Sequence, residues 1–220
     1  MENLSQPAED YLKSIWLISE WDGKDAVPTE LARRMGLSPS TVTEAIKKLA
    51  NAGYVTHRRY GPIFLTEAGR RQAVRIVRKH RLIETFLHVT LGYSWEDLHA
   101  EAEALEHSVS DQFIEAIDKI LEHPHYDPHG DPIPQADGSI PELHLLLLTE
   151  TTPGQRIRIC QVDDNAEILV FLAENNIGLH AQGTVISHTP TLGLTMVQLA
   201  EHPVAIPQLV AQRIRVQVLT

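Results

Sequence analysis

The chain has 220 residues, of which 43% are hydrophobic and 22% charged, so it can bury a proper core and is not expected to be disordered. A single cysteine, Cys160, excludes an intrachain disulfide and fits a reducing cytosol, and no apolar run approaches a membrane span. The formal net charge of −10 hides an asymmetry: fourteen basic residues face nine acidic ones through Arg81, and five face twenty beyond it. A local positive field at the N-terminal end suits phosphates, while the acidic remainder does other work.

In chain order, Pro7 to Glu20 places Tyr11, Leu12, Ile15, Trp16 and Ile18 at helical period, and Asp22-Gly23 breaks that helix. Thr29 is expected to cap a short helix through Leu31, Ala32 and Met35, ended by Gly36. Ser38-Pro39 reads as an N-cap followed by Pro at N1, opening a helix that buries Val42, Ile46 and Leu49. Two short strands, Tyr54–Tyr60 and Ile63–Leu65, flank Gly61-Pro62, and Thr66 caps a further helix. Helix, short helix, tight turn, helix and hairpin together make the winged variant of helix-turn-helix.

From His80 to about Glu122 two or three helices follow, interrupted at Gly92-Tyr93-Ser94. Pro124, Pro128, Gly130, Pro132, Pro134, Gly138 and Pro141 then mark a linker or arm. Beyond Leu143 about five short strands and one helix, roughly Ala166 to Asn175, suggest a small barrel. The expected fold is mainly α with a small β domain. Residues 1–75 are expected to form a winged helix-turn-helix, 76–142 a helical domain with a proline-rich arm, and 143–220 a small barrel.

The N-terminal turns of the second helix of a helix-turn-helix enter the major groove. Here they carry Ser38, Pro39, Ser40, Thr41, Thr43 and Glu44, with hydroxyls for phosphates or base edges and a carboxylate able to accept from a cytosine amine. Lys47 and Lys48 add backbone charge, and the hairpin offers Arg58, Arg59 and Tyr60 to flanking phosphates or the minor groove.

His99, Glu103, Glu106 and His107 fall within about 100° of arc on a helix of 3.6 residues per turn. His80 and Glu84 repeat the same chemistry at i, i+4. Carboxylate and imidazole gathered on one face are metal ligands, although a solvated acidic face shows the same spacing. A metal cluster beside a DNA reader indicates a sensor and not an enzyme. A winged-helix regulator answering to an organic ligand or protein partner is the alternative.

Several separated segments occur in order: Ala8-Glu9-Asp10-Tyr11-Leu12, Ser40-Thr41-Val42-Thr43, Arg78-Lys79-His80-Arg81-Leu82 with Glu84, Glu103-Ala104-Leu105-Glu106-His107 with Ser110-Asp111, and His129-Gly130-Asp131-Pro132-Ile133-Pro134. In these the chain resembles, over essentially its whole length, the diphtheria-toxin-repressor-like metal-dependent regulators, including their C-terminal SH3-like (FeoA-type) domain. The resemblance implies a homodimeric cytoplasmic repressor, with no membrane association, that binds a double-stranded palindromic operator and controls metal-uptake genes. It implies a primary metal site at Asp10, Glu103, Glu106 and His107, and a second at His80, Glu84 and His99 joined by Asp127, His129 and Asp163, with Asp163 and Asp164 competing for one place. Carboxylates at positions 10 and 103, where the iron-responsive branch has Met and Cys, resemble the manganese branch and suit Mn²⁺, with Fe²⁺ the alternative. Short manganese regulators also carry a Glu three residues after the position of Asp10. This chain has Lys13, a cation that cannot ligate, so two separated sites are expected in place of a binuclear cluster. Cys160 is expected to be a buried small apolar residue.

Overall fold

Helix α1 (Gln6–Asp22) buries Tyr11, Leu12, Ile15 and Ile18 on one face, and Gly23, at φ 59°, turns the chain away with its N–H on the Ser19 carbonyl. The computed structural model describes residues 4–58, 61–199 and 202–219, and the backbone alone at Asp22. Helix α2 (Pro28–Arg34) starts one residue earlier than Thr29 would set it. Pro28 occupies the first turn, Val27 is the N-cap without a side-chain bond, and Thr29 lies inside the helix. Ser38 caps α3 (Pro39–Asn51) by accepting from the Thr41 N–H at 3.2 Å, and Val42, Ile46 and Leu49 turn inward as their spacing predicts. Strands β1 (Val55–His57) and β2 (Ile63–Leu65) pair antiparallel, Val55 opposite Leu65. Leu12, Leu31, Ile46 and Ile63 meet in one apolar core, and burial of such side chains stabilises by about 1.5–3 kcal/mol each.

Thr66 accepts from the Gly69 N–H at the start of α4 (Glu67–Leu91), a 25-residue helix about 38 Å long. Helices α5 (Trp95–Glu106) and α6 (Asp111–Ile120) follow, the second capped by Ser110. The chain divides into two compact units. One holds residues 1–80, 106–109 and 134–139; the other holds 81–105, 110–133 and 140–220. In the first, Arg78 donates to the Pro134 carbonyl; in the second, Arg81 donates to that of Pro132. The proline-rich arm is thus held by the cations of one motif.

The C-terminal part is a six-stranded antiparallel sheet built from β3 (Leu146–Leu147), β4 (Arg156–Val162), β5 (Gln182–Thr189), β6 (Leu194–Leu199), β7 (His202–Pro207) and β8 (Ile214–Leu219), in the order β3-β8-β4-β5-β6-β7. Among the described residues β3 and β7 end this order and do not pair with each other, so the expected barrel is seen as an SH3-like sheet without hydrogen-bonded closure. Strand β7 carries Pro203 and Pro207, which an edge strand tolerates and which mask it in the sequence. Helices α7 (Ala166–Glu174) and α8 (Gln208–Ala211) complete the domain. Leu169 and Leu172 of α7 share a core with Ile157, Ile159, Val185, Val197 and Val216. Cys160 is half-buried on β4. Among the described residues no helix is long and apolar enough to cross a membrane.

Candidate metal centres and DNA-reading helix

The first turns of α3 are exposed from Ser38 through Thr41, as are Thr43, Glu44, Lys47 and Lys48. The Ser38 Oγ lies 2.8 Å from the hydroxyls of both Ser40 and Thr41, and Thr43 donates to the Pro39 carbonyl. Glu44 is paired with Lys47 at 2.7 Å, and this hydrogen bond and charge hold its carboxyl below the usual range, so it presents an ionised acceptor. Arg58 is exposed; Arg59 and Tyr60 lie outside the described residues.

Within the first unit, α1 supplies Glu9, Asp10 and Lys13, α4 supplies His80, and the end of α5 supplies Glu106 followed by His107. One ligand atom from each of Asp10, Glu106 and His107 lies within 4.8 Å of the other two. The His107 ring stands between carboxylates: Nδ1 is 2.8 Å from Glu9 Oε2, and Nε2 is 2.7 Å from Asp10 Oδ1 and 3.2 Å from Glu106 Oε1. A neutral imidazole has one N–H and cannot donate on both sides. Either the ring carries a second proton, or Nδ1–H donates to Glu9 and Nε2 offers its lone pair to a cation shared with Asp10 and Glu106. The latter is how metal-bound histidines are oriented by an outer carboxylate. Glu106 is fully buried, with Oε1 2.5 Å from Lys13 Nζ and Oε2 2.6 Å from His80 Nδ1. Burial opposes its ionisation, but His80 and Lys13 prevail and hold its carboxyl below the usual range.

In the second unit, ligand atoms of Glu84, Asp127 and His129 gather within 4.8 Å, and all three residues are buried. Asp127 Oδ1 accepts from the backbone N–H groups of His129 and Asp131, and Oδ2 lies 3.7 Å from Arg81 Nε. Burial, then repulsion from Asp131 and Glu84, pushes the Asp127 carboxyl well above its ordinary value against the pull of Arg81. Three buried carboxylates with one guanidinium are what a divalent ion would neutralise. His99 borders this group: Nδ1 is 3.3 Å from Asp164 and 3.9 Å from Glu84, and Nε2 is 3.6 Å from Glu103.

Glu103 Oε1 lies 3.6 Å from His99 Nε2 in the second unit, and His80 is bonded to Glu106 in the first. Of the competing pair, Asp164 faces His99, whereas Asp163 accepts from the Asn165 N–H and lies 3.3 Å from Arg213. Glu9 was not singled out from the sequence, since its contact with His107 spans 98 residues.

Comparison with known proteins adds to this geometry. Residues 3–63 match the family described as "Iron dependent repressor, N-terminal DNA binding domain", residues 66–135 "Iron dependent repressor, metal binding and dimerisation domain", and residues 146–218 "FeoA domain". The iron-dependent repressor IdeR of Mycobacterium tuberculosis (strain ATCC 25618 / H37Rv) is 28% identical over 230 residues, covering 99% of each chain. The HTH-type transcriptional regulator MntR of Geobacillus kaustophilus (strain HTA426) is 31% identical over 115 residues, 52% of this chain and 80% of MntR. A solved structure described as a manganese-dependent transcriptional repressor in complex with manganese superposes with a TM-score of 0.91 at 40% identity, over 96% of this chain and all of the other. The chain belongs to the diphtheria-toxin-repressor-like family of metal-dependent transcriptional repressors, non-enzymatic regulators that join a DNA-binding domain to a metal-binding and dimerisation domain.

Proposed function

We propose that this chain is a manganese-responsive repressor, with Fe²⁺ as the alternative ion, that binds a palindromic operator as a homodimer in the cytoplasm and controls metal-uptake genes. The domains run as 1–75, 76–142 and 143–220. The observation that carries this reading is the convergence of Asp10, Glu106 and His107, whose oxygen and nitrogen donors include no sulfur. Glu84, Asp127 and His129, bordered by His99, Asp164 and Glu103, form a second site; Asp163 is assigned to the Asn165 turn.

A divalent ion held by Asp10, Glu106 and His107 supplies the positive charge that their carboxylates lack. The rest is the work of this chain's residues. Glu9 orients the His107 ring through Nδ1, and His80 and Lys13 keep Glu106 ionised. Without a metal ion the mutual repulsion of Glu9, Asp10 and Glu106 is offset only in part by Lys13, so α1 is held less firmly against the segment that follows α5 than with the ion bound. Leu12 and Ile15 of α1 share a core with Val42 and Ile46 of α3, so a shift of α1 is passed to the reading helix. Two such helices in a dimer must match half-sites about 34 Å apart, so only the fixed arrangement binds well.

Asp10→Ala tests this. In gel shifts on a palindromic operator, wild type gains about 5–150-fold in affinity with Mn²⁺ over chelator, the range of a typical coupling energy, and the variant gains nothing while its apo thermal transition stays in place. An unchanged manganese response in the variant rejects the site. Indifference of the wild type to chelator favours regulation by an organic ligand or protein partner. Parallel lanes with Fe²⁺ and Zn²⁺ decide the ion.

A further inference from the structure

The loop that carries Asp127 and His129 is fastened to β4 at three points. The Val162 N–H donates to the His129 carbonyl at 2.9 Å. Gly130, at φ 86°, lies so close to β4 that a Cβ there would come within 2.0 Å of the Cys160 carbonyl oxygen. Gln161, 1% exposed, donates through Nε2 to Asp131 Oδ1. The amide is oriented from its other end, where Arg215 donates to Gln161 Oε1 at 3.3 Å, so Nε2 must face Asp131. The ladder between β4 and β8 shifts register between Ile159 and Gln161, and this bulge sets the direction of Gln161. The same Asp131 oxygen lies 3.8 Å from Arg81 Nη2, and Arg81 also faces Asp127.

We propose that Asp131 and Gln161 are positioning residues of the second metal cluster: without ligating, they let the FeoA-type sheet set the grip of Asp127 and His129 on a divalent cation. Asp131 draws Arg81 to one side, so that Asp127 Oδ2 is not wholly claimed by the guanidinium. Gln161 holds Asp131 in that place and the loop on its strand. An outer hydrogen bond of this kind alters metal affinity by about 10–100-fold when removed. The inference rests on Glu84, Asp127 and His129 being ligands.

The test is Mn²⁺ titration of the full chain by calorimetry, with the electron paramagnetic resonance spectrum of the second bound ion as a direct readout of its surroundings. Glu84→Gln, a ligand variant, is expected to remove the second binding event. Gln161→Met is expected to weaken that event about 10–100-fold, alter the spectrum of the second ion and leave the first event unchanged. Val197→Ala, a core change in the same sheet away from the latch, is expected to leave both events alone. If Glu84→Gln abolishes the second event and Gln161→Met changes nothing, the positioning role falls while the ligand assignment stands. If Val197→Ala weakens the second event as much as Gln161→Met does, the role is merely structural and the proposal is overturned. If Glu84→Gln leaves both events intact, the ligand assignment itself is wrong, and the inference goes with it. Should Gln161→Met not fold, Asp131→Asn, a change of almost no volume, carries the same expectations.

Discussion

Around Glu106 both carboxylate oxygens already face partners, Lys13 on one side and His80 on the other; in the other cluster Asp127 and Asp131 share Arg81 while buried Glu84 adds a third carboxylate. The donor chemistry is the same and the charge balance is not. The first cluster carries its own cation and stays ionised when empty. The second has an excess of negative charge that the fold tolerates by favouring the protonated form of Asp127. The difference teaches that Lys13 supplies Glu106 with a positive charge of its own, so that an ion bound at the proposed first site would compete with it for Glu106.

Lys13→Met should break this comparison most strongly. Both partners are buried, and removing one member of a buried ion pair costs about 3–5 kcal/mol because the other charge is stranded. Urea melts of the apo chain are expected to show that loss, and saturating Mn²⁺ should recover part of it by mass action, about 2.7 kcal/mol at one hundred times Kd. A variant as stable as wild type without metal would mean that Lys13 and Glu106 do not depend on one another.

Glu9→Gln is next. If Glu9 fixes the ring of His107 by accepting from Nδ1, its amide loses the charge that makes the ring a better donor, and affinity at the first site should fall about 10–100-fold with the second untouched. Mn²⁺ calorimetry reads both. Equal loss at both sites would show a general effect on folding instead.

Much of the architecture was legible because its causes are local. Ser38-Pro39 fixes the start of α3 by a cap and a preset φ, and Val42, Ile46 and Leu49 follow from helix geometry alone. The candidate ligand types on α5 could be read for the same reason, since i, i+4 spacing is a local fact. What the sequence left open depends on distant contacts. Glu9 and Lys13 gain their roles from residues 98 and 93 positions away. Glu103 and Glu106 lie on one helical stripe, and only packing sets Glu106 beside Lys13 and His80. Pro203 and Pro207 disguised an edge strand, and barrel closure is a property of strand ends that no periodicity encodes.

The pH response should sharpen the comparison by having opposite signs. The raised Asp127 carboxyl binds its proton more tightly in the folded chain, so its contribution is present at low pH and is lost as pH rises from the unfolded carboxylate range through the folded value. The lowered Glu106 carboxyl contributes stability above the unfolded value, and that is lost as pH falls through the folded one. One proton per group limits either slope to about 1.4 kcal/mol per pH unit. Apo melts across pH should therefore show Asp127→Asn removing the decline at higher pH and Glu106→Gln removing the one at lower pH. Because a ligating carboxylate must be deprotonated, Mn²⁺ affinity at the second site should rise with pH through the same window.

The smallest expected effect separates neighbours. Asp163 is tied to the Asn165 N–H and to Arg213, a partly exposed pair worth about 0–1 kcal/mol, while Asp164 faces His99. Asp163→Asn should lower the melting temperature slightly and leave both Mn²⁺ events unchanged. Asp164→Asn should weaken the second event with little effect on apo stability, because only its carboxylate borders the charge-rich cluster. The reverse pattern would mean that the turn after β4 rearranges when the second site fills, placing Asp163 where Asp164 now stands.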